Sequence, residues 1–483
     1  MNVREKINAI AAERILILDG AMGSMIQAWR SPDGKPLNDA DFRGERFAHH
    51  KKPLLGCNDV LCLTKPEVIT GIHEAYLQAG ADIIETCSLN ATSVGLKDYG
   101  LEDLAGEISR AAASLARKAA DRFSAPDRPR FVAGSIGPTP KSLVFTPDMD
   151  NPGKRQITWD ELEAAYYVNA RGLVEGGADF LLIETIYDGL NAKAALAAVM
   201  RLSAEMGRDI PAMVSATVTE SGRLLTGQTA NAFCASMLHA RPLALGLNCS
   251  FGIDGLRPPL EKISAFAPCP VIFYPNAGLP DATAHYSDTP EIMASAAELC
   301  MKDRLVNIIG GCCGSTPAHI AAIAAAAYGH KPRVIPAESG NKVFLAGTQL
   351  AEADNDYLLT VSNKLSSINP WQNALDSGDY EEAINIARDH PLKQNEILAV
   401  NTDKAADPVN TLRNFIFLAA AYSDLAVHPI LIESGSWDTI AEGLKCFQGR
   451  GLVRYTGQSC DAAETARRYE ALRIYGALPL IGR

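Results

Sequence analysis

Residues 159–185 read WDELEAAYYVNARGLVEGGADFLLIET. Trp159–Glu175 sets apolar residues at helical spacing, and Phe180–Glu184 is a short apolar run of strand type ending on an acid and a threonine. Between them, Gly177-Ala178-Asp179 supplies a helix stop and a turn. The same tripeptide recurs as Gly80-Ala81-Asp82, after the helical pattern Pro66–Ala79 (PEVITGIHEAYLQA), which Thr64 and the proline introduce. A repeated helix–turn–strand unit predicts an α/β fold with parallel strands.

Working outward, eight such runs precede residue 315: Ile15–Leu18, Asp82–Glu85, Phe131–Gly134, Phe180–Glu184, Ala212–Ala216, Ala244–Leu247, Val271–Tyr274 and Val306–Ile309. Eight strand–helix units over residues 1–330 predict a (β/α)8 TIM barrel, with a doubly wound open sheet as the rival. The barrel adds an expectation that the open sheet lacks, namely reactive residues gathered just after the strands at one mouth. Asp19, Thr86-Cys87 and Ser135 follow the first three runs, Glu184-Thr185 closes the fourth, and Thr217, Asn248-Cys249, Pro275-Asn276 and Cys312-Cys313 follow the rest.

Residues 331–341 (KPRVIPAESGN) hold two prolines and no helical period, and read as a linker. A second α/β region, 342–483, follows with runs Val343–Ala346, Ile397–Val400, Ile430–Glu433, Leu452–Tyr455 and Leu478–Ile481, and helices such as Asp379–Arg388 and Trp437–Phe447. That is half the repeat count of a barrel, so the expectation is an incomplete half-barrel. Its sheet edges would pair with another chain or close differently.

Composition narrows the classes. Apolar residues at 47% and charged residues at 21% exclude long disorder. A net charge of −11 with no basic block argues against nucleic acid as the main partner. No apolar run reaches the roughly 18 residues of a membrane span, and the charged N-terminus lacks a signal-peptide core, so the expected location is cytoplasmic. Eleven cysteines form no small disulfide framework, which leaves core, metal-ligand or nucleophile roles.

Cys249, Cys312 and Cys313 are the strongest chemical signal. In the barrel they top strands six and eight, which flank one neighbour, and the glycines of Gly310-Gly311-Cys312-Cys313-Gly314 let adjacent side chains face one point. Three thiolates suit a tetrahedral zinc ion with one open position. So electron-rich a centre is a poor activator of water and suits holding a substrate thiol as a nucleophilic thiolate. Cys57, Cys62, Cys234, Cys269, Cys300, Cys446 and Cys460 read as small buried hydrophobes, and Cys87 as intermediate. Asp19 and Glu184, at the same mouth, suit a substrate ammonium group. The turn and helix start at Ala21, Met22 and Gly23 offer amides to a carboxylate.

Several segments carry a resemblance: LDGAMGSMIQ (18–27), GSIGPT (134–139), LIETIYD (182–188), SGRLLTGQT (221–229), LGLNCSFG (245–252), YPNAGLP (274–280) and IIGGCCGSTPAHI (308–320). With these, residues 1–330 resemble the homocysteine-binding barrel of the cobalamin-dependent methionine synthases, within the wider homocysteine S-methyltransferase family. The resemblance implies zinc on Cys249, Cys312 and Cys313, with Asn276 as a fourth ligand when substrate is absent. It implies that the homocysteine sulfur joins the metal, that Asp19 and Glu184 contact the amino group, and that amides of Ala21–Gly23 cradle the carboxylate. Two departures stand out. Cys57-Asn58-Asp59 replaces the family's Asn-Asn-Asp, and Glu85-Thr86-Cys87 replaces Glu-Thr-Asn, which makes Cys87 a candidate extra ligand.

Through GDYEEAINIAR (378–388) and SWDTIAEGLKCFQGRGLV (436–453), residues 342–483 resemble the first half of the same enzymes' pterin-binding barrel. Ala399-Val400-Asn401 stands where that family has acid-Val-Asn, and Gly347-Thr348-Gln349-Leu350-Ala351 where it has Gly-Glu-Arg-Thr-Asn, which argues against folate binding. The expected function is therefore methyl transfer to homocysteine, forming methionine, with methylcobalamin on a separate corrinoid protein or complementary subunit as donor. The alternatives are a stand-alone transferase using a sulfonium or betaine donor, and a non-catalytic zinc- and homocysteine-binding subunit or decayed copy.

Overall fold

The computed structural model describes the chain except residues 149–150, 152, 282–285, 337–341, 355–364, 366–367, 394–395, 458–460 and 481–483. Eight parallel strands form one sheet: β1 (Leu16–Ile17), β2 (Ile83–Glu85), β3 (Phe131–Ile136), β4 (Phe180–Ile186), β5 (Ala212–Ala216), β6 (Ala244–Asn248), β7 (Val271–Tyr274) and β8 (Ile308–Ile309). β1 pairs with β8, and a parallel bridge from Leu18 to Ile83 joins β1 to β2, so the sheet curls into a TIM-like barrel. The open-sheet rival is thereby set aside. β3, β4 and β6 run past their expected ends, which places Ser135 and Asn248 inside strands rather than after them and leaves Glu184 short of its strand's end.

The Gly-Ala-Asp tripeptides do the same work twice. Gly80 and Gly177 take positive φ (109° and 103°), which glycine tolerates, where their helices end. The aspartate two residues on then accepts from the amide of the second residue of the preceding strand: Asp82 from Ile17 N (3.0 Å) and Asp179 from Val132 N (2.7 Å). Arg117 pairs with Asp179 at 2.8 Å. Arg14, Arg128 and Arg130 surround the fully buried Asp82 at 2.7, 3.4 and 3.5 Å.

Strand periodicity of two splits the core. Leu16, Leu18, Ile83, Phe131, Ala133, Phe180, Leu182, Met213, Ala244, Ile272 and Ile308 fill the lumen. Ile17, Ile84, Val132, Leu181, Ile183, Val214, Leu245, Phe273 and Ile309 face the helices. The helix over Trp159–Glu175 starts on a Thr158–Glu161 capping box and buries Leu162, Tyr166 and Leu173.

Beyond residue 341 the expected repeat is corrected at its first run. β9 (Lys342–Ala346) does not join the parallel sheet. It pairs antiparallel with β10 (Leu350–Asp354), a strand the sequence reading missed. Only Gly347-Thr348-Gln349 separate the two, enough for a hairpin and far short of a parallel crossover. The four remaining strands, β11 (Leu398–Val400), β12 (Ile430–Ser434), β13 (Leu452–Tyr455) and β14 (Leu478–Pro479), form a parallel sheet in chain order. Its Ala399, Leu431 and Leu452 pack with Leu345 and Ala351 of the hairpin. The barrel grips this unit through Lys193, wholly buried, whose Nζ donates to the Phe447 and Gly449 carbonyls (2.7 and 3.0 Å), and through Gln228 Nε2 to Gly347 O (3.1 Å). Among the described residues no helix is long and apolar enough to cross a membrane.

Candidate functional site

The lumen alternation decides what lies at the mouth. Continuing each inward register toward the strand C-termini brings Glu85, Ser135, Glu184, Ser215, Asn248 and Tyr274 into one layer, below Cys249 and Cys312-Cys313. The Tyr274 hydroxyl (3.3 Å) and the Ser135 hydroxyl both donate to Glu184. Glu85 N donates to Asp19 Oδ2 (3.0 Å). Asp19 Oδ1 and Glu85 Oε1 are buried with no partner. Burial raises the pKa of Asp19, and the charge of Glu184 adds to it. Burial, then Glu184 and Asp19, raise that of Glu85. Glu184 is pushed up to about 7, first by burial. Among the described residues no basic side chain pairs with these three carboxyls, an arrangement suited to a cation.

The three sulfurs sit on turns forced by close packing. Cys249 and Ser250 adopt positive φ (59° and 64°), rare for non-glycine residues, as the chain turns off β6. Cys312 N donates to Pro275 O (2.7 Å), and Ala277 N to Cys313 O (3.0 Å). A Cβ on Gly310 would lie 2.7 Å from Leu18 Cβ, so that glycine lets β8 approach the end of β1, and one on Gly311 would lie 2.5 Å from Ser315 Oγ, so that glycine lets the cysteine turn fold back on itself. Asn248 ties the layer together. It accepts from Ser215 Oγ (2.7 Å) and Thr185 N (3.0 Å), and its Nδ2 approaches Cys312 Sγ at 3.9 Å.

Cys249 Sγ lies 3.8 Å from Cys313 Sγ, which lies 4.0 Å from Cys312 Sγ, and all three fall within 4.8 Å of one another. Two sulfurs each bound at about 2.3 Å to a tetrahedral ion lie about 3.8 Å apart, so the spacing fits zinc. The sulfurs polarise one another: hydrogen bonds with Cys249, then Cys312, pull the Cys313 thiol down, while contacts with Cys249, then Cys313, push Cys312 up. The Asn276 side-chain oxygen is buried with no partner, on a residue whose amide is held by Phe251 O.

The structure thus brings together Asp19, Glu184, Asn276 and the three cysteines. It does not bring Cys87 among them. That thiol is buried and donates to Asn58 O at 3.6 Å, outside the sulfur group. Of the three expected cradle amides, that of Ala21 already donates to Ser315 Oγ (3.1 Å); the helix beginning at Met22 carries no side-chain cap. Cys57, Cys62, Cys234, Cys300 and Cys446 are buried as expected and Cys269 is half-buried, while Cys460 lies outside the described residues. Ser135 and Asn248, expected at the mouth, lie in this layer, whereas Glu85 and Tyr274 were missed as site residues. The signal was present, since each continues the period-two register of an inward-facing apolar residue.

An eight-stranded α/β barrel with three convergent thiols and a cluster of buried carboxyls at its C-terminal mouth defines the class: a barrel that sets sulfurs at metal-ligand spacing beside acids suited to a cationic group. The family model described as homocysteine S-methyltransferase matches residues 16–327, and the chain belongs to that family. It is similar to the oxidized form of the homocysteine methyltransferase MmuM from Escherichia coli, at 24% identity and a TM-score of 0.50, covering 67% of this chain and 99% of that one. The metallated form of the same protein matches at 26% identity and a TM-score of 0.48, covering 66% and 98%.

Proposed function

We propose that the chain methylates homocysteine to methionine, with Cys249, Cys312 and Cys313 holding zinc and Asn276 as the fourth donor before substrate binds. The observation that carries this reading is three sulfurs at tetrahedral spacing beside buried carboxyl oxygens that lack partners. Zinc held there lowers the pKa of an incoming thiol and keeps its sulfur nucleophilic near neutral pH. The protein's own residues do the rest. Asp19, Glu85 and Glu184 take the substrate ammonium, with Ser135 and Tyr274 fixing the Glu184 carboxylate. The Met22 and Gly23 amides take the substrate carboxylate. Asn248 orients Cys312. Transfer forms a carbon–sulfur bond and breaks the bond from the methyl group to its donor, which keeps the electron pair.

Residues 1–330 then form the acceptor unit and 342–483 an appended one. The donor in this reading is methylcobalamin carried by a separate protein and refilled from methyltetrahydrofolate. The C-terminal resemblance supports that lineage. At the degenerate motif, Ala399 gives the core a methyl group rather than offering a ligand a carboxylate, so the folate step belongs elsewhere. A stand-alone sulfonium or betaine donor is the second reading, favoured by a site whose residues all lie in the barrel. Zinc-loaded protein is assayed for methionine from methylcobalamin, S-methylmethionine and betaine, beside Cys312→Ala. The active donor selects between the readings. Zinc and homocysteine binding without turnover would mark a binding subunit, and failure to bind about one zinc per chain would overturn both.

A further inference from the structure

The opposite face of the barrel carries a second feature, independent of the thiol site. A groove of about 940 Å³ runs between the strand N-termini, where Leu243 leads into β6 and Pro270 into β7, and the β9–β10 hairpin. Its volume lies in the range of small-molecule sites. Five cations line it, Arg4, Arg241, Lys262, Lys342 and Arg450, against one acid, Glu352. In a chain of net charge −11 this is a local reversal of sign.

Two of the five are neutralised: Arg4 by Asp209 (2.8 Å) and Lys342 by Glu352 (3.2 Å). Among the described residues, Arg241, Lys262 and Arg450 have no carboxylate within ion-pairing distance. Arg450 is the most costly of them. Its Nη1 donates to the Phe344 carbonyl (3.2 Å), its Nε is buried with no partner, and burial pulls its pKa down to about 10. A sequestered guanidinium without a counter-charge is unfavourable unless an anion completes it. Phe266 and Phe344, packed edge to face at 4.6 Å, give the groove an apolar wall, and Asn8 and Asn231 line it with amides. β6, five residues long, separates the groove from Cys249 by about 16 Å at 3.3 Å per residue, so the ligand is not the methyl acceptor.

We propose that this groove binds a small organic polyanion, bearing several phosphate or carboxylate groups, that bridges Arg241 and Lys262 of the barrel to Arg450 of the C-terminal unit. Such a ligand clamps the two units and stabilises the folded chain by mass action.

The test titrates the full chain with inorganic tripolyphosphate and, separately, with citrate, at an ionic strength held constant with sodium chloride, and follows heat and Tm. One-to-one saturable binding with a raised Tm is expected for at least one anion, and which one binds distinguishes phosphate from carboxylate ligands. Arg241→Gly, at a φ of 49° that glycine accepts, combined with Lys262→Gln on an exposed helix face, is expected to weaken binding about tenfold or more while zinc content and methyl transfer stay unchanged. The proposal is overturned if neither anion binds beyond the sodium chloride control, or if the double variant binds as tightly as the parent. The titration of the parent decides this even where the variant folds poorly.

Discussion

The barrel and the C-terminal sheet use the same βα grammar and reach opposite ends. In the barrel eight strands meet as a ring, and the inward register stacks carboxyls, hydroxyls and thiols into one mouth. In the C-terminal unit four strands stay open, the lumen side is covered by the β9–β10 hairpin, and its strand tops carry a Glu433–Arg454 ion pair and a hydrogen bond from Ser434 to Asp403. Closure, more than strand chemistry, concentrates function. A ring points every second residue of eight strands at one axis, whereas an open sheet spreads the same residues over a surface.

That contrast can be broken or sharpened. The largest effect is expected from Cys312→Ala, which should lower methionine formation by about 1000-fold or more and abolish stoichiometric zinc, measured by metal analysis alongside the assay. Asp403→Ala, at the top of the open sheet, should change the same rate less than about twofold. If the two variants are equally damaging, function does not reside in the ring alone. Next is Asp82→Ala, which strips a buried carboxylate from three arginines and should cost about 3 kcal/mol of stability in denaturant titration. A loss confined to the C-terminal unit's unfolding would contradict the role assigned to the barrel floor.

A smaller effect is expected from Glu184→Gln, which should raise the KM for homocysteine about tenfold with zinc content unchanged. Lost zinc with an unchanged KM would remove Glu184 from the substrate side. The smallest concerns the junction. Burial lowers the Lys193 pKa to about 7, below its value in the unfolded chain of about 10.4. Between those values the unfolded state binds more protons, so this group's contribution to stability rises with pH, and it is lost as pH falls toward 7. Chemical denaturation of the parent against Lys193→Met should show the parent gaining on the variant from about pH 7 to about pH 10; parallel curves would mean that Lys193 stays charged.

Much of this was legible in the residues. Apolar runs gave the eight strands, β5 and β7 to the residue, and the strand-end rule located Asp19, Glu184 and the three cysteines. Other features needed three dimensions. Glu85 looked like part of a variant tripeptide until closure set it against Asp19. Cys87, next but one along the chain, would continue the inward register, but β2 ends at Glu85 and the thiol turns instead to the Asn58 carbonyl. The β9 run looked like another repeat unit, since periodicity cannot tell a hairpin from a crossover once the returning strand, Leu350–Asp354, is itself half polar.

The pairing of Leu16 with Ile308 has a consequence for biosynthesis. The first strand emerges from the ribosome nearly three hundred residues before its partner, so a nascent chain holds Cys249 alone until Ile308–Gly314 has docked. Completion of the three-sulfur cluster is thus a late event in maturation, left until the last strand of the barrel has closed the ring.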